Sequence, residues 1–404
     1  MSEKREFRCV IAGGGPAGMM CGFLLARAGV PVAVCEKHPD FNRDFRGDTI
    51  HPSTFDIMYE LGLLEEFLQQ PHDEITELTA VINGEEIPIA NFSSLPTHCK
   101  FVGLMPQWDF LNFVAAHAKK LPNFHLLMET AATGLIEENG VVKGLRATSP
   151  QGELELRADL VIAADGRHST LRDAAKMKVK EFGAAIDVLW MRLTRSENDP
   201  AQTFGFFKNG KMFVALNRRT YWQCAMVIPK GGYPAVQAAG IADFQQSIAD
   251  IAPTFTERAG ELKDWSQVSL LSVRINRLER WAREGLQCIG DAAHAMSPAG
   301  GVGINLAIQD AVATANLLAE KLRTGPVKLS DLDAIQARRE WPTKLIQAMQ
   351  VFVHKRINGV PTPPQTHAPL PLRLLRRFPY LRRYPARFVG MGPRPEHIAT
   401  KAVG

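Results

Sequence analysis

The sequence predicts an α/β chain: a doubly wound parallel sheet, interrupted by an inserted, mainly antiparallel sheet, and followed by a C-terminal helical, Pro-rich basic segment. Three observations predict it. The first 36 residues read strand, glycine-rich turn, helix, strand. Two further short apolar runs, residues 160–164 and 286–289, each lead into an aspartate beside a glycine. Between them, residues 187–229 alternate and turn as hairpins do.

Each element has its own signal. Residues 7–12 form an apolar run too short for a helix, and 32–36 form another; both read as buried parallel strands. The helix between them, 16–28, is stopped by Gly29 and Pro31. Residues 54–69 and 107–120 carry helical periodicity. Residues 76–90 alternate about Asn83-Gly84, a strong hairpin signal. Residues 141–157 read as a hairpin turning near Pro150 to Gly152, and 187–229 as strands with turns at Asn209-Gly210 and Arg218-Arg219. Residues 241–252 and 305–323 read as helices, the second stopped by Gly325-Pro326. No internal repeat is visible.

Composition narrows the classes. The 404 residues are 46% hydrophobic and 22% charged, which excludes wholesale disorder and collagen-like repeats. Six cysteines are scattered without a C-x-x-C pair, so zinc-ribbon and thioredoxin readings fall away and reduced thiols are expected. No cluster with metal-ligand spacing is found. The first ten residues are charged and lack an apolar core, so no secretory leader is read and a cytoplasmic place is expected. Net charge is +5, but residues 355–404 hold ten Lys/Arg against one acid, leaving the body mildly acidic. No zinc finger, RNA-recognition signature or basic groove pattern accompanies that tail, so no nucleic-acid partner is expected.

The first turn reads Gly13-Gly14-Gly15-Pro16-Ala17-Gly18. Gly13 permits the tight turn, Gly15 lets backbone approach a pyrophosphate, and Gly18 lets helix and strand pack closely. Phosphates then meet the free N–H groups and dipole of a helix start. Glu36 ends the second strand, where a carboxylate binds ribose hydroxyls and repels a 2′-phosphate. The pattern is Rossmann-like, and it takes FAD or NAD rather than NADP.

Two later motifs select FAD. Asp165-Gly166 and Gly290-Asp291 each follow a buried strand, where open α/β sheets bind ligands. After Asp291 come Pro298 to Asn305 and a long helix, whose N-terminus suits the negative charge of a reduced flavin. Here the chain resembles the class A flavoprotein monooxygenases, which include para-hydroxybenzoate hydroxylase and the ubiquinone-pathway hydroxylases. The resemblance rests on the glycine turn, Asp165-Gly166 and Gly290-Asp291-Ala292-Ala293-His294, with Arg46 ahead of Gly62 and Gln107 opening a helix. It spans about residues 7 to 345. It implies that Gly13, Gly15, Ala17, Gly18, Glu36 and Lys37 hold the adenosine half. Arg46 and Gln107 hold the linker, and Asp165 supports the pyrophosphate region. Asp291 binds the ribityl chain, while Gly303, Ile304 and Asn305 face the flavin. Pro298 and Gly303 position the reacting face, Pro298 on the substrate side. His294 is read as a structural hydrogen-bonding residue rather than a proton donor.

The implied reaction needs no protein nucleophile. NADH or NADPH reduces the FAD transiently, O2 then gives a C4a-hydroperoxide, and the distal oxygen passes to a phenolic or otherwise electron-rich aromatic ring. The inserted sheet is expected to carry the substrate on Trp190, Arg192, Phe204, Phe206, Phe213, Leu216 and Trp222, against Pro298. The implied division gives residues 1–74, 98–178 and 276–341 to a discontinuous FAD-binding domain, 75–97 and 179–275 to the substrate sheet, and 342–404 to the tail. The tail interleaves apolar and basic residues. It reads either as peripheral contact with anionic lipid or as a segment packed on its own domains or a second subunit, and monomer and homodimer both stay open. Two rivals remain. A flavin-dependent halogenase is expected to show W-x-W-x-I-P and a catalytic lysine, whereas residues 221–229 hold one Trp and an Ile-Pro at another spacing. A non-catalytic flavoprotein sensor or scaffold is the other.

Overall fold

The computed structural model describes residues 3–42, 49–199, 203–218, 220–358 and 369–403. The chain runs β1 (Glu3–Ala12), α1 (Pro16–Arg27), β2 (Val32–Cys35), α2 (Pro52–Glu60), β3 (Glu77–Ile82) and β4 (Glu85–Asn91). It continues through α3 (Gln107–Ala118), β5 (Phe124–Leu127), β6 (Ala131–Glu138), β7 (Val141–Ser149) and β8 (Gly152–Ala163). Next come β9 (Ile186–Thr194), β10 (Phe204–Lys208), β11 (Lys211–Asn217), β12 (Tyr221–Pro229), α4 (Ile241–Ile251) and β13 (Ser269–Leu271). The last elements are β14 (Ala282–Arg283), β15 (Leu286–Cys288), α5 (Val302–Thr324), α6 (Leu329–Asn358), α7 (Leu370–Arg377) and α8 (Arg383–Gly390).

Five parallel strands, in the order β15-β8-β1-β2-β5, form the centre of the first sheet. β14 closes one edge antiparallel, and the β6–β7 hairpin hangs antiparallel on β8. β2 and the second half of β1 are buried on both faces, which is why they read as unbroken apolar runs. Residues of α1, α3 and α5 cover one face, among them Met20, Leu24, Phe110, Phe113, Ile308 and Val312. The second sheet is ordered β13-β9-β12-β11-β10-β3-β4, and β10–β3 is its one parallel pair. Phe244, Ile248 and Ile251 of α4 cover its outer face. Its inner face looks across a cavity toward the carboxyl ends of the first sheet.

Three sequence expectations shift. The helix expected over 54–69 is two helices, α2 and Leu64–Leu68, because Gly62 takes φ 72° between them. The helix expected from 305 begins at Val302, directly after Gly300 (φ 82°) and Gly301 (φ 62°). The boundary expected at 341–342 falls inside α6, which continues through Pro342. A proline there deprives the Arg338 carbonyl of its helical N–H. The Arg394 guanidinium takes that carbonyl instead, at 3.4 Å.

A buried polar network locks the back of the first sheet. The Asp310 carboxylate, on α5, accepts from the Gly290 N–H (3.1 Å), His294 Nε2 (2.6 Å) and Arg339 Nε (3.0 Å). Arg339, on α6, also donates to Glu396 (3.1 Å) and to the Arg394 carbonyl (3.0 Å). Burial opposes the Asp310 charge, and His294 and Arg339 overcome it, holding the carboxyl below its ordinary value. Removing one partner of such a pair leaves a buried charge uncompensated. Arg339→Met is therefore expected to lower unfolding free energy by about 3–5 kcal/mol, read from urea unfolding followed by circular dichroism.

Candidate active site

The turn from β1 to α1 is shaped by where a Cβ fails to fit. Gly13 has φ 104°, and a Cβ there would collide with the Ala164 carbonyl. A Cβ on Gly18 would collide with the Gly13 carbonyl, and one on Gly14 would lie 2.8 Å from the Glu36 Cβ. Gly15 is different. Its φ of −74° suits any residue, and nothing lies within 4 Å of where its Cβ would point. Ordinary backbone there means the glycine matters for the space in front of it. That space opens, at the free N–H groups of the α1 start, into a cavity of about 1750 Å³.

Gly13, Gly15, Ala17, Glu36, Lys37, Gln107, Asp165 and Asp291 all line this cavity. Gly18 does not and packs beneath the turn. Glu36 accepts from the Gly14 N–H (2.9 Å) and the His38 N–H (3.1 Å), so its carboxylate is fixed at the end of β2. Asp165 accepts from the Leu171 N–H (3.2 Å), tying the end of β8 to the short helix behind it. Burial raises its carboxyl above the ordinary value, against the hydrogen bonds of the Ser169 to Leu171 turn. Asp291 is about a third exposed, 3.8 Å from the Arg167 guanidinium. Arg46 lies outside the described residues.

The start of α5 supplies the opposite wall. Pro298, Gly303 and Ile304 line the cavity. Asn305 does not, contrary to the expectation that it faces the flavin. A helix turns 100° per residue, and Asn305 points into the protein. Its Oδ1 accepts from the His51 N–H (3.0 Å) and Thr54 Oγ1 (2.8 Å), and its Nδ2 donates to the Thr49 carbonyl (3.2 Å). The residue fixes residues 49–54 to the helix start. Sequence reasoning missed a second clamp. Gln350 of α6 exchanges hydrogen bonds with the Ser297 backbone at 3.1 and 3.0 Å, and His354 meets Ser297 Oγ at 2.8 Å. These hold the turn that carries Pro298.

The second sheet lines the far side with one of its two faces, and the expected residues divide between them. Trp190, Ala225, Val214 and Gly205 are successive ladder partners on one face, and they line the cavity with Phe207, Met212, Leu216 and Gln223. Phe206, Phe213 and Trp222 sit on the other face and do not reach it. They pack around Phe255 with ring centroids 5.5–5.9 Å away, and Trp222 Nε1 donates to Asp199 (3.1 Å). Phe204 shares their side of β10, yet borders the cavity at the strand's first residue. Arg192 shares the Trp190 face one pleat further out, exposed, with its guanidinium 4.8 Å from the Tyr221 ring centroid. Alternation defines two faces but does not say which one is dressed by a helix.

The donor set fits FAD. It joins open space before Gly15, a fixed carboxylate at Glu36, an exposed carboxylate at Asp291 and a second helix start beside Gly303, all in one cavity. The family model for an FAD binding domain matches residues 6–348. The chain belongs to this FAD-binding family. A 6-methylpretetramide 4-monooxygenase of Streptomyces rimosus is 34% identical over 85% of this chain and 82% of its own. Two solved structures share the fold. The p-nitrophenol 4-monooxygenase PnpA of Pseudomonas putida DLL-E4 has a TM-score of 0.77 at 19% identity, over 97% of this chain and all of its own. The myxobacterial chondrochloren halogenase CndH has a TM-score of 0.75 at 16% identity, over 89% and 87%. At those identities they speak for the fold alone.

Two variants test the FAD site. Gly15→Val is expected to keep the circular dichroism and thermal midpoint of the FAD-free chain while losing FAD, because the side chain enters only the cavity. Gly18→Val is expected to fail at folding, because its Cβ meets backbone. A pH series tests His51, which lines the same cavity and donates to the Val389 carbonyl at 2.7 Å. Burial lowers its imidazole to about 4 despite that bond, so the unfolded chain takes up the proton more readily. Its contribution is whole above pH about 6.5 and falls away toward about 4. His51→Gln is expected to flatten that part of the thermal-midpoint profile.

Proposed function

We propose that the protein is an FAD-dependent monooxygenase that uses NADH or NADPH and O2 to hydroxylate a phenolic or otherwise electron-rich aromatic compound. The observation that carries this reading is the continuity of the cavity. One space of about 1750 Å³ joins the nucleotide turn, the Pro298–Gly303 wall and an apolar sheet face. The identity to the Streptomyces monooxygenase supports it.

When bound, FAD supplies the electron transfer and the activation of O2. The chain's own part is placement and exclusion. Gly13 to Ala17 and Glu36 would hold the adenosine half, and Asp291 the ribityl hydroxyls. The backbone N–H groups at the α5 start would stabilise negative charge on a bound flavin. Pro298, held by Gln350 and His354 through Ser297, would border the substrate. Trp190, Phe207, Val214 and Leu216 would give a flat ring an apolar wall and keep water from it. Gln223 is the buried polar group on that wall, and its Oε1 accepts from Arg218 Nε at 2.9 Å. Halogenation draws no support from residues 221–229, whose single tryptophan is turned into the core.

The visible spectrum of the purified protein, followed after NADH or NADPH is added in air, tests the reading. Oxidised-flavin bands are expected, bleaching slowly and faster with an accepted phenol. The product should carry one oxygen atom from isotopically labelled O2. A yellow protein indifferent to both nicotinamides, with every phenol tried, overturns the hydroxylase reading and leaves the FAD site standing.

A further inference from the structure

Among the described residues, eleven large hydrophobic side chains are exposed, and eight of them fall between residues 341 and 384. Trp341, Leu345 and Phe352 form a stripe along one side of α6, at helical spacings of four and seven, with exposures of 56%, 40% and 59%. On α7, Leu370 and Leu374 lie one helical turn apart and exposed, followed by Phe378, Tyr380 and Tyr384. Residues 341–390 contain nine Lys/Arg and no Asp or Glu. Three of these cations already meet an acid: Lys344 pairs with Glu340 along α6 at 3.1 Å, and Arg376 with Glu85 and Arg382 with Glu77 pin this region to the β3–β4 hairpin. On α8, Ala386 is buried among Ala90, Phe92 and Leu95. The inner side of the tail is thus packed and its outer side is apolar and cationic.

We propose that this outer side docks on an anionic lipid surface. Exposed leucines and aromatic rings interleaved with arginines suit the headgroup boundary, where rings enter the acyl region and guanidinium groups meet phosphates. A second copy of this chain would set cations against cations. A nucleic acid would give Leu370 and Leu374 no apolar surface to enter. The contact is peripheral. The described stretch long and apolar enough to cross a bilayer, Ala299–Thr324, is 78% buried inside the protein over its apolar window. The surface also has a position: Phe352, Pro369, Pro371 and Leu372 line the cavity described above. Docking would set that rim against the bilayer and let an apolar aromatic pass from lipid into the cavity. This delivery step rests on the hydroxylase reading, whereas the docking itself does not.

Sedimentation of the FAD-loaded full chain with vesicles tests it. The chain is expected to pellet with equimolar phosphatidylcholine and phosphatidylglycerol, less so as salt is raised, and not with phosphatidylcholine alone. Replacing Arg373 and Arg377 by Ala should weaken partitioning on the order of tenfold or more. Leu374→Asp with Phe378→Asp should abolish it. All four side chains are exposed, so FAD absorbance and circular dichroism are expected to stay unchanged in both variants. Absence of pelleting, equal pelleting with neutral vesicles, or indifference to the substitutions overturns the proposal. A dimer in light scattering that the Asp variant splits overturns it too, making the patch a subunit interface. Turnover of a soluble phenol in buffer reads the hydroxylase separately, and the Asp variant is expected to retain it.

Discussion

The Asp310 carboxylate is the contact on which most of the arrangement depends. It gathers the Gly290 N–H and His294 from one turn and Arg339 from α6, and Arg339 brings in Glu396 from the tail. A buried ion pair is weak evidence of stability, since apolar packing does as well. What it supplies here is position. Gly290 immediately precedes Asp291, and its φ of 59° lets the strand end pass between Ala17 and Ala307. Fixing the Gly290 N–H therefore fixes the direction in which Asp291 enters the cavity. The same carboxylate sets α6 against α5, and α6 carries the Gln350–His354 clamp on Ser297. One anion thus reaches two walls of the cavity without lining it.

Much of the nucleotide half is legible in the sequence because its signals lie close together along the chain. Gly18 is required by the Gly13 carbonyl a few residues earlier and Glu36 ends the next strand, although the Ala164 carbonyl that crowds Gly13 comes from just past β8. Asp291 was legible because a polar residue directly after a buried strand has few structural uses. The cradle behind it was not. Asp310, Arg339 and Glu396 lie 29 and 57 residues apart, as counted by their hydrogen bonds, and each alone reads as an ordinary helix or tail charge. The inward turn of the Asn305 side chain is not legible, because the spacing of a motif does not give the phase of the helix that begins inside it.

The substrate sheet is legible as strands and as alternation, but the expected residues come from both of its faces: Trp190, Arg192 and Leu216 from the face toward the cavity, and Phe204, Phe206, Phe213 and Trp222 from the other. Phe206, Phe213 and Trp222 are instead the apolar complement of Phe255 and α4. The cavity face mixes Trp190, Phe207 and Met212 with the smaller Gly205, Val214 and Ala225, which leave room for a ligand. Large rings fill a core and small side chains leave space, so the emptier face of a two-sided sheet is the better candidate.

The extended segment after α8 has a consequence for how the chain is made. Residues near 400 lie back on α1: the Val403 N–H reaches the Arg27 carbonyl at 2.9 Å, and Arg27 reaches the Thr400 carbonyl at 3.1 Å. β1 finds its neighbour β8 only about 150 positions later. During synthesis the first strand and helix leave the ribosome long before the segments that complete them, and Asp310 emerges before Arg339 and Glu396 can neutralise it. Such non-local closure is slow and leaves apolar surface uncovered. The order of synthesis thus sets α1 waiting, with its apolar face uncovered, for partners that follow it by more than a hundred residues.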